Sequence, residues 1–147
     1  MNELQAAERW LVGILRGDAT LAGLVGTRIY ASIAPQEATF PYVLLSYQGG
    51  PDRNAVGREA RLFTRPVYLV KAVADAGTVG FDYSAADLVA SAVDAVLLGA
   101  KGTNVLAGVT YQIDCAGREQ PVRYPELSGA KRYAHVGGLY RLFIQTI

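Results

Sequence analysis

The 147-residue sequence predicts an α+β fold: a mixed, mainly antiparallel sheet of about five strands, covered by an N-terminal helical hairpin and one later amphipathic helix. Three observations carry that expectation. Apolar residues recur every three or four positions near the N-terminus and again after Ser84, and elsewhere the pattern alternates with a period of two. Apolar residues make up 51% and charged residues 18%, which excludes a disordered chain. No repeat or linker interrupts the pattern, so residues 1–147 are expected to form one domain. At this size one core buries roughly 68–70% of the unfolded surface and needs no disulfide or metal.

Each element follows from local chemistry. Leu4, Ala7, Leu11 and Ile14 form the first helical stripe, widened by Leu15, with Glu8, Arg9 and Arg16 off it. Asn2 with Gln5 suits an N-cap and Gly17 a stop. Asp18 is placed to cap a short second helix carrying Leu21, Leu24 and Val25, closed by Gly26. Ile29, Ala31 and Ile33 then alternate with Tyr30 and Ser32 as a strand ending before Pro35. Pro41 opens the next strand, and Tyr42 to Tyr47 is apolar enough to be covered on both faces. Gln48 to Ala60, QGGPDRNAVGREA, predicts a long exposed loop; loops beyond about 12 residues are usually functional or disordered.

Leu62 to Ala74 reads as a long strand in which Pro66 marks an edge position or a bulge. Ser84 with Asp87 has the spacing of a capping box, with Asp in place of Glu. Ala85, Leu88, Val89, Ala92, Val93, Val96 and Leu97 then make the clearest helical stripe, stopped by Gly99, and leave Asp87, Ser91 and Asp94 for solvent. Val109, Tyr111, Ile113 and Cys115 alternate with Thr110, Gln112 and Asp114 as a half-exposed strand. Pro121 to Pro125 reads as irregular. Tyr133 to Ile147 is a closing strand, with Tyr140, Leu142 and Ile144 on one face and Arg141 and Gln145 on the other.

Scarcity narrows the function. Lys and Arg total 14 against 13 Asp and Glu, a net charge of +1, which is not the balance of a dedicated nucleic-acid binder. One Cys, one His and one Met exclude a disulfide framework and a zinc site with several Cys or His ligands. No signal peptide and no run of about 20 apolar residues is present, so a cytoplasmic product is expected. Cys115 and His135 are the only thiol–imidazole pair, on strands that a sheet can set side by side, but Cys115 falls on the apolar face expected of an inert thiol. Asp87 and Asp94 lie about 10 Å apart along a helix and fit a solvated surface. Gly99 to Gly102, GAKG, matches the G-x-x-G turn that clamps nucleic acid in KH domains, but a helix stop followed by a strand is the stronger reading. No catalytic residue, metal or cofactor is expected.

The arginines are the remaining signal. Arg53, Arg58, Arg61 and Arg65 fall close together, with Asp52 and Glu59 as the only nearby acids. Arg118, Arg123, Lys131, Arg132 and Arg141 form a second set. On a monomer these are a solvated face; copied around a symmetry axis they become a collar of positive potential. Tyr124, Tyr133 and Tyr140 fit either a core or a subunit contact.

Behind the helical start come Gly26-Thr27-Arg28-Ile29-Tyr30, then Ala34-Pro35, then Phe40-Pro41-Tyr42-Val43-Leu44. This succession resembles the tail-completion (tail-terminator) proteins of long-tailed bacteriophages and related gene-transfer particles, over nearly the whole chain in length and element order. The resemblance implies a non-enzymatic virion protein of the tail–neck junction, made in the host bacterial cytoplasm. It implies a homo-oligomeric ring, a hexamer, that caps the tail tube, ends its growth and offers the head-joining surface. The implied partners are the tail tube protein, a head-closure or connector protein, and DNA passing through the lumen without sequence specificity; no membrane is involved. On that reading Arg53, Arg58, Arg61 and Arg65 are contacts to the next subunit, the tube or DNA. The alternatives are another ring-forming neck protein (head-closure or connector), a small nucleic-acid-binding domain, and, third, an enzyme using Cys115 and His135.

Overall fold

A computed structural model describes residues 2–54 and 61–147, with backbone alone at 54, 61 and 62. Helix α1 (Asn2–Arg16) buries Ala7, Leu11 and Leu15 of the predicted stripe together with Ala6 and Trp10, while Leu4 and Ile14 are only half-buried. Helix α2 (Ala19–Val25) starts where the Asp18 carboxylate accepts the Leu21 N–H at 3.0 Å and ends at Gly26, whose φ is +60°. Helix α3 (Ser84–Leu97) buries Ala86, Val89, Ala90, Val93 and Leu97. Eight strands complete the described fold: β1 (Ile29–Ala31), β2 (Tyr42–Gly49), β3 (Asp52–Asn54), β4 (Arg61–Thr64), β5 (Val67–Asp75), β6 (Lys101–Leu106), β7 (Val109–Ser128) and β8 (Lys131–Thr146).

β8 is the spine of the sheet. On one side β5 pairs with it from Asp75↔Tyr133 to Val67↔Arg141, and β4 continues past β5 at Thr64↔Ile144. On the other side β7 follows it from Tyr111↔Thr146 to Ser128↔Lys131. β2 and the parallel β1 extend the sheet beyond β5, β6 extends it beyond β7, and β3 pairs with β4. Side chains alternate across a strand, so Ala134, Tyr140, Leu142 and Ile144 share one face. That face meets Tyr68, Val70 and Ala72 of β5, Val43 and Leu45 of β2, and the helices. The Tyr68 hydroxyl donates to the Leu4 carbonyl at 3.2 Å and the Tyr140 hydroxyl to Asp94 at 2.8 Å, tying α1 and α3 to the same side.

The strand count exceeds the expected five because segments read as loops are paired. Gln48 to Ala60 is not one loop: β2 runs to Gly49, and Asp52–Asn54 pairs with Arg61–Thr64 as an arm continuing the β2–β5 hairpin. Residues 55–60 lie outside the described residues. The long strand expected at Leu62 to Ala74 is split at Arg65–Pro66 into β4 and β5. Gly50, with φ +144°, makes this seam: a Cβ there would run into the Arg65 carbonyl and Pro66. The Arg65 N–H donates across the seam to the Pro51 carbonyl at 2.9 Å, and the Leu142 N–H donates to the Pro66 carbonyl at 2.8 Å.

Smaller expectations also change. The first strand stops at Ala31, because Ser32 takes φ +68° and leaves Ile33 82% exposed. Pro121 to Pro125 lies inside β7, in continuous register with β8. β6 covers β7 only as far as Asp114, so these prolines sit on an open edge where a missing N–H breaks no ladder bond. Ser84 is the first residue of α3 rather than its cap; the Asp82 carboxylate accepts the Ser84 N–H at 2.9 Å and hydroxyl at 2.6 Å, which holds Asp82 below the usual carboxylate range. Ala85 and Leu88 leave the stripe and are exposed, while Ala86 and Ala90 join it. Asp94 does not face solvent, since it receives the buried Tyr140 hydroxyl. Asp87 forms an exposed ion pair with Arg123 at 3.3 Å.

Gly102 explains part of the GAKG signal. It lies on the helix-facing side of β6, opposite Ile113, and a Cβ there would overlap the Trp10 indole. Gly102→Ala is expected to displace Trp10 and destabilise the fold by about 1–3 kcal/mol, as overpacked cores do. Denaturant unfolding followed by the emission of Trp10, the chain's one tryptophan, measures this directly.

Candidate assembly surface

The odd-numbered residues of β8 form the face turned away from α1 and α3. Tyr133, His135, Leu139, Arg141 and Phe143 lie there beside Leu69 and Lys71 of β5, Leu44 of β2 and Val122 and Tyr124 of β7. At one end Phe40 stacks on Tyr133, centroids 5.0 Å apart, and contacts Tyr42 at 5.4 Å. Beside these rings is a cavity of about 390 Å³, lined also by the Pro35–Ala38 turn, Glu126 and Lys131. At the other end Phe63 of the arm packs on Phe143 at 4.5 Å. Ten residues of β8 separate Tyr133 from Phe143, a span of about 33 Å.

His135 sits between these ends. Its ring stacks on Tyr124 at 4.5 Å and its Nε2 meets Glu126 Oε1 at 2.7 Å. Lys71 Nζ donates to the Tyr124 hydroxyl at 2.5 Å. The buried Nδ1 has no hydrogen-bond partner among the described residues. Burial lowers the His135 pKa, opposed by the Glu126 hydrogen bond, which favours the neutral ring.

The predicted arginines divide. Arg53 stands opposite Phe63 on the arm and Arg65 at the seam, both exposed, and among the described residues neither guanidinium has an ion-pair partner. Only the backbone of Arg61 is described, in β4, and Arg58 lies outside the described residues. The second basic set serves internal contacts more than a collar. Arg123 pairs with Asp87 and lies 4.0 Å over the Tyr83 ring, Arg132 donates to the Gly80 carbonyl, and Arg141 reaches Glu119 at 2.5 Å and the Arg65 carbonyl at 3.0 Å. Of the three tyrosines, Tyr140 is core, whereas Tyr124 and Tyr133 lie on the outer face. Sequence reasoning missed the aromatic end. Its visible trace is Tyr30, Phe40 and Tyr42, but Tyr133 joins them only through the sheet.

The catalytic alternative is not assembled. Cys115 stands opposite Leu142 on the core face and His135 opposite Tyr124 on the outer face, so the sheet separates thiol from imidazole. Burial pushes the Cys115 thiol up to about 11. Gly99, with φ +69°, ends α3 as a helix stop does, and Gly102 seats Trp10. Among the described residues no cluster of His, Cys, Asp and Glu has the makings of a metal site, and no helix is long and apolar enough to cross a membrane.

Two outcomes test this geometry. Cys115 is expected to resist iodoacetamide in the native protein at pH 8 and to react fully in denaturant, as read by mass spectrometry. The His135 pKa is lower in the folded chain than its unfolded value of about 6.5, so the unfolded chain binds the proton first. Stability from this group is therefore complete above about pH 6.5 and declines below it. Because His135 is the only histidine, His135→Gln is expected to flatten the slope of unfolding free energy between pH 6.5 and 5.5, measured by urea titration.

Comparisons with known proteins agree with this architecture. The family model described as tail completion protein gp17 matches residues 9–120. A chain from a structure titled "Virion of native gene transfer agent (GTA) particle" is similar at a TM-score of 0.63, with 23% identity and 97% of each chain covered. A second solved chain is similar at a TM-score of 0.52, with 16% identity, covering 96% of this chain and 92% of that one. At these identities the two structures establish a shared fold. No curated protein is a significant match. The family match spans most of the chain, from within α1 to the bulge of β7: the chain belongs to the tail completion protein gp17 family, structural proteins of the phage tail.

Proposed function

We propose that six copies of this chain close into a ring that caps the tail tube, ends its elongation and presents the surface to which the head is joined. The observation that carries this reading is a sheet face with two unlike ends, an arginine-bearing arm and an aromatic cavity, on a chain of the tail completion family. Closed rings need two different patches per subunit, whereas a two-fold dimer uses one patch twice. The similar chain in a gene transfer agent virion supports reading this chain as a virion component. The arm residues Arg53, Arg58, Arg61 and Arg65 touch the next subunit, the tube end or the DNA in the lumen. The DNA contact is made through phosphate charge and so without sequence preference. The protein acts by shape and adhesion; no chemical step is assigned to it.

Particles assembled without this protein are the test. Tails of uncontrolled, excessive length with no attached heads are expected in negative-stain images. Tails of normal length lying free beside filled heads would overturn the terminator reading and identify a head-closure protein.

A further inference from the structure

The cavity at the aromatic end has the chemistry of a cation socket. Phe40, Tyr42 and Tyr133 supply ring surface, and Glu37 and Glu126 supply two carboxylates against the single ammonium of Lys131. Glu37 is exposed and has no ion-pair partner among the described residues. Glu126 meets His135 through one oxygen, Oε1, which leaves the other oxygen for a further partner. A planar guanidinium both lies against aromatic rings and donates bidentate hydrogen bonds to a carboxylate, so arginine fits this lining better than any other side chain.

The same chain presents such guanidinia at the far end of the same face. Arg53 and Arg65 are exposed, without ion-pair partners among the described residues, and about 33 Å along β8 from the cavity. One copy cannot fold its arm across that span into its own cavity, since the arm is pinned to β8 at Thr64↔Ile144 and by Phe63 on Phe143. We infer that the cavity lined by Phe40, Tyr42, Tyr133, Glu37 and Glu126 is the socket for Arg53 and Arg65 on the arm of a second copy of this chain. Arm into socket is head-to-tail, the contact that propagates around a ring. The inference rests on the ring reading and adds which surfaces meet.

The test uses one charge at each end of the full chain: Glu37→Arg in the socket and Arg53→Glu on the arm, both exposed and remote from the core. Circular dichroism and Trp10 emission should match the wild type. Sedimentation of the free protein, and imaging of rings on tail tubes, read association in both settings. Each variant alone is expected to associate at least tenfold more weakly than wild type. Mixing the two is expected to restore assembly with the variants alternating, because the intact arm of one meets the intact socket of the other and the two reversed charges also meet. Joining both changes in one chain is expected to restore assembly. Wild-type rings from Glu37→Arg would overturn the socket while leaving the ring reading intact. Loss with Arg53→Glu that the added Glu37→Arg does not restore would overturn it in favour of the tube protein or DNA as the arm's partner. A wild type with no oligomer either free or on tubes would overturn the ring reading as well.

Discussion

The alternation of side chains along β8 is the constraint on which the rest of the structure depends. Its even positions enter the core and its odd positions build the outer face, so one strand organises both stability and contact. A slip of one residue would carry Tyr140, Leu142 and Ile144 into solvent and Arg141 into the core, which is why the register is strongly specified. The two-sided ladder reinforces it: β5 and β4 on one side and β7 on the other hold β8 over nearly its full length.

The helical layer is attached by a few polar bonds within a large apolar contact. Removal of apolar surface from water supplies most of the stabilisation, through Leu11, Leu15, Val89, Val93 and Leu97 against the sheet. Hydrogen bonds from the Tyr68 and Tyr140 hydroxyls then fix where each helix sits, because a buried hydroxyl without a partner is costly. Burial raises the pKa of both tyrosines, so they remain neutral donors. The outer face is built differently. Its aromatic stacks are concentrated at the two ends of β8, and its charged groups lie between and beside them.

Local physics was legible in the sequence and nonlocal pairing was not. The Asp18 cap, the Gly99 stop and the alternation at Val109–Cys115 each act within a few residues and are found as expected, and Ala7, Leu11 and Leu15 of the α1 stripe are buried. The arm was unreadable because Asp52–Asn54 is a polar strand with no buried face to impose a period of two, and its seam uses glycine and proline as a loop would. Asp94 looked solvent-facing because its partner, Tyr140, lies 46 residues away. In the candidate site, the clustering of Arg53 and Arg65 was visible, whereas the cavity needs Phe40 and Tyr133 brought together across β2, β5 and β8.

The prolines of β7 carry a consequence for traffic among copies. Nitrogens at alternate positions of a strand point the same way, so Pro121 and Pro125 remove two donors from one bare margin. A second strand cannot form a full ladder along that margin, which blunts it against edge-to-edge pairing. Adhesion is thereby withheld from the backbone, which is indiscriminate, and left to side chains, which recognise one another.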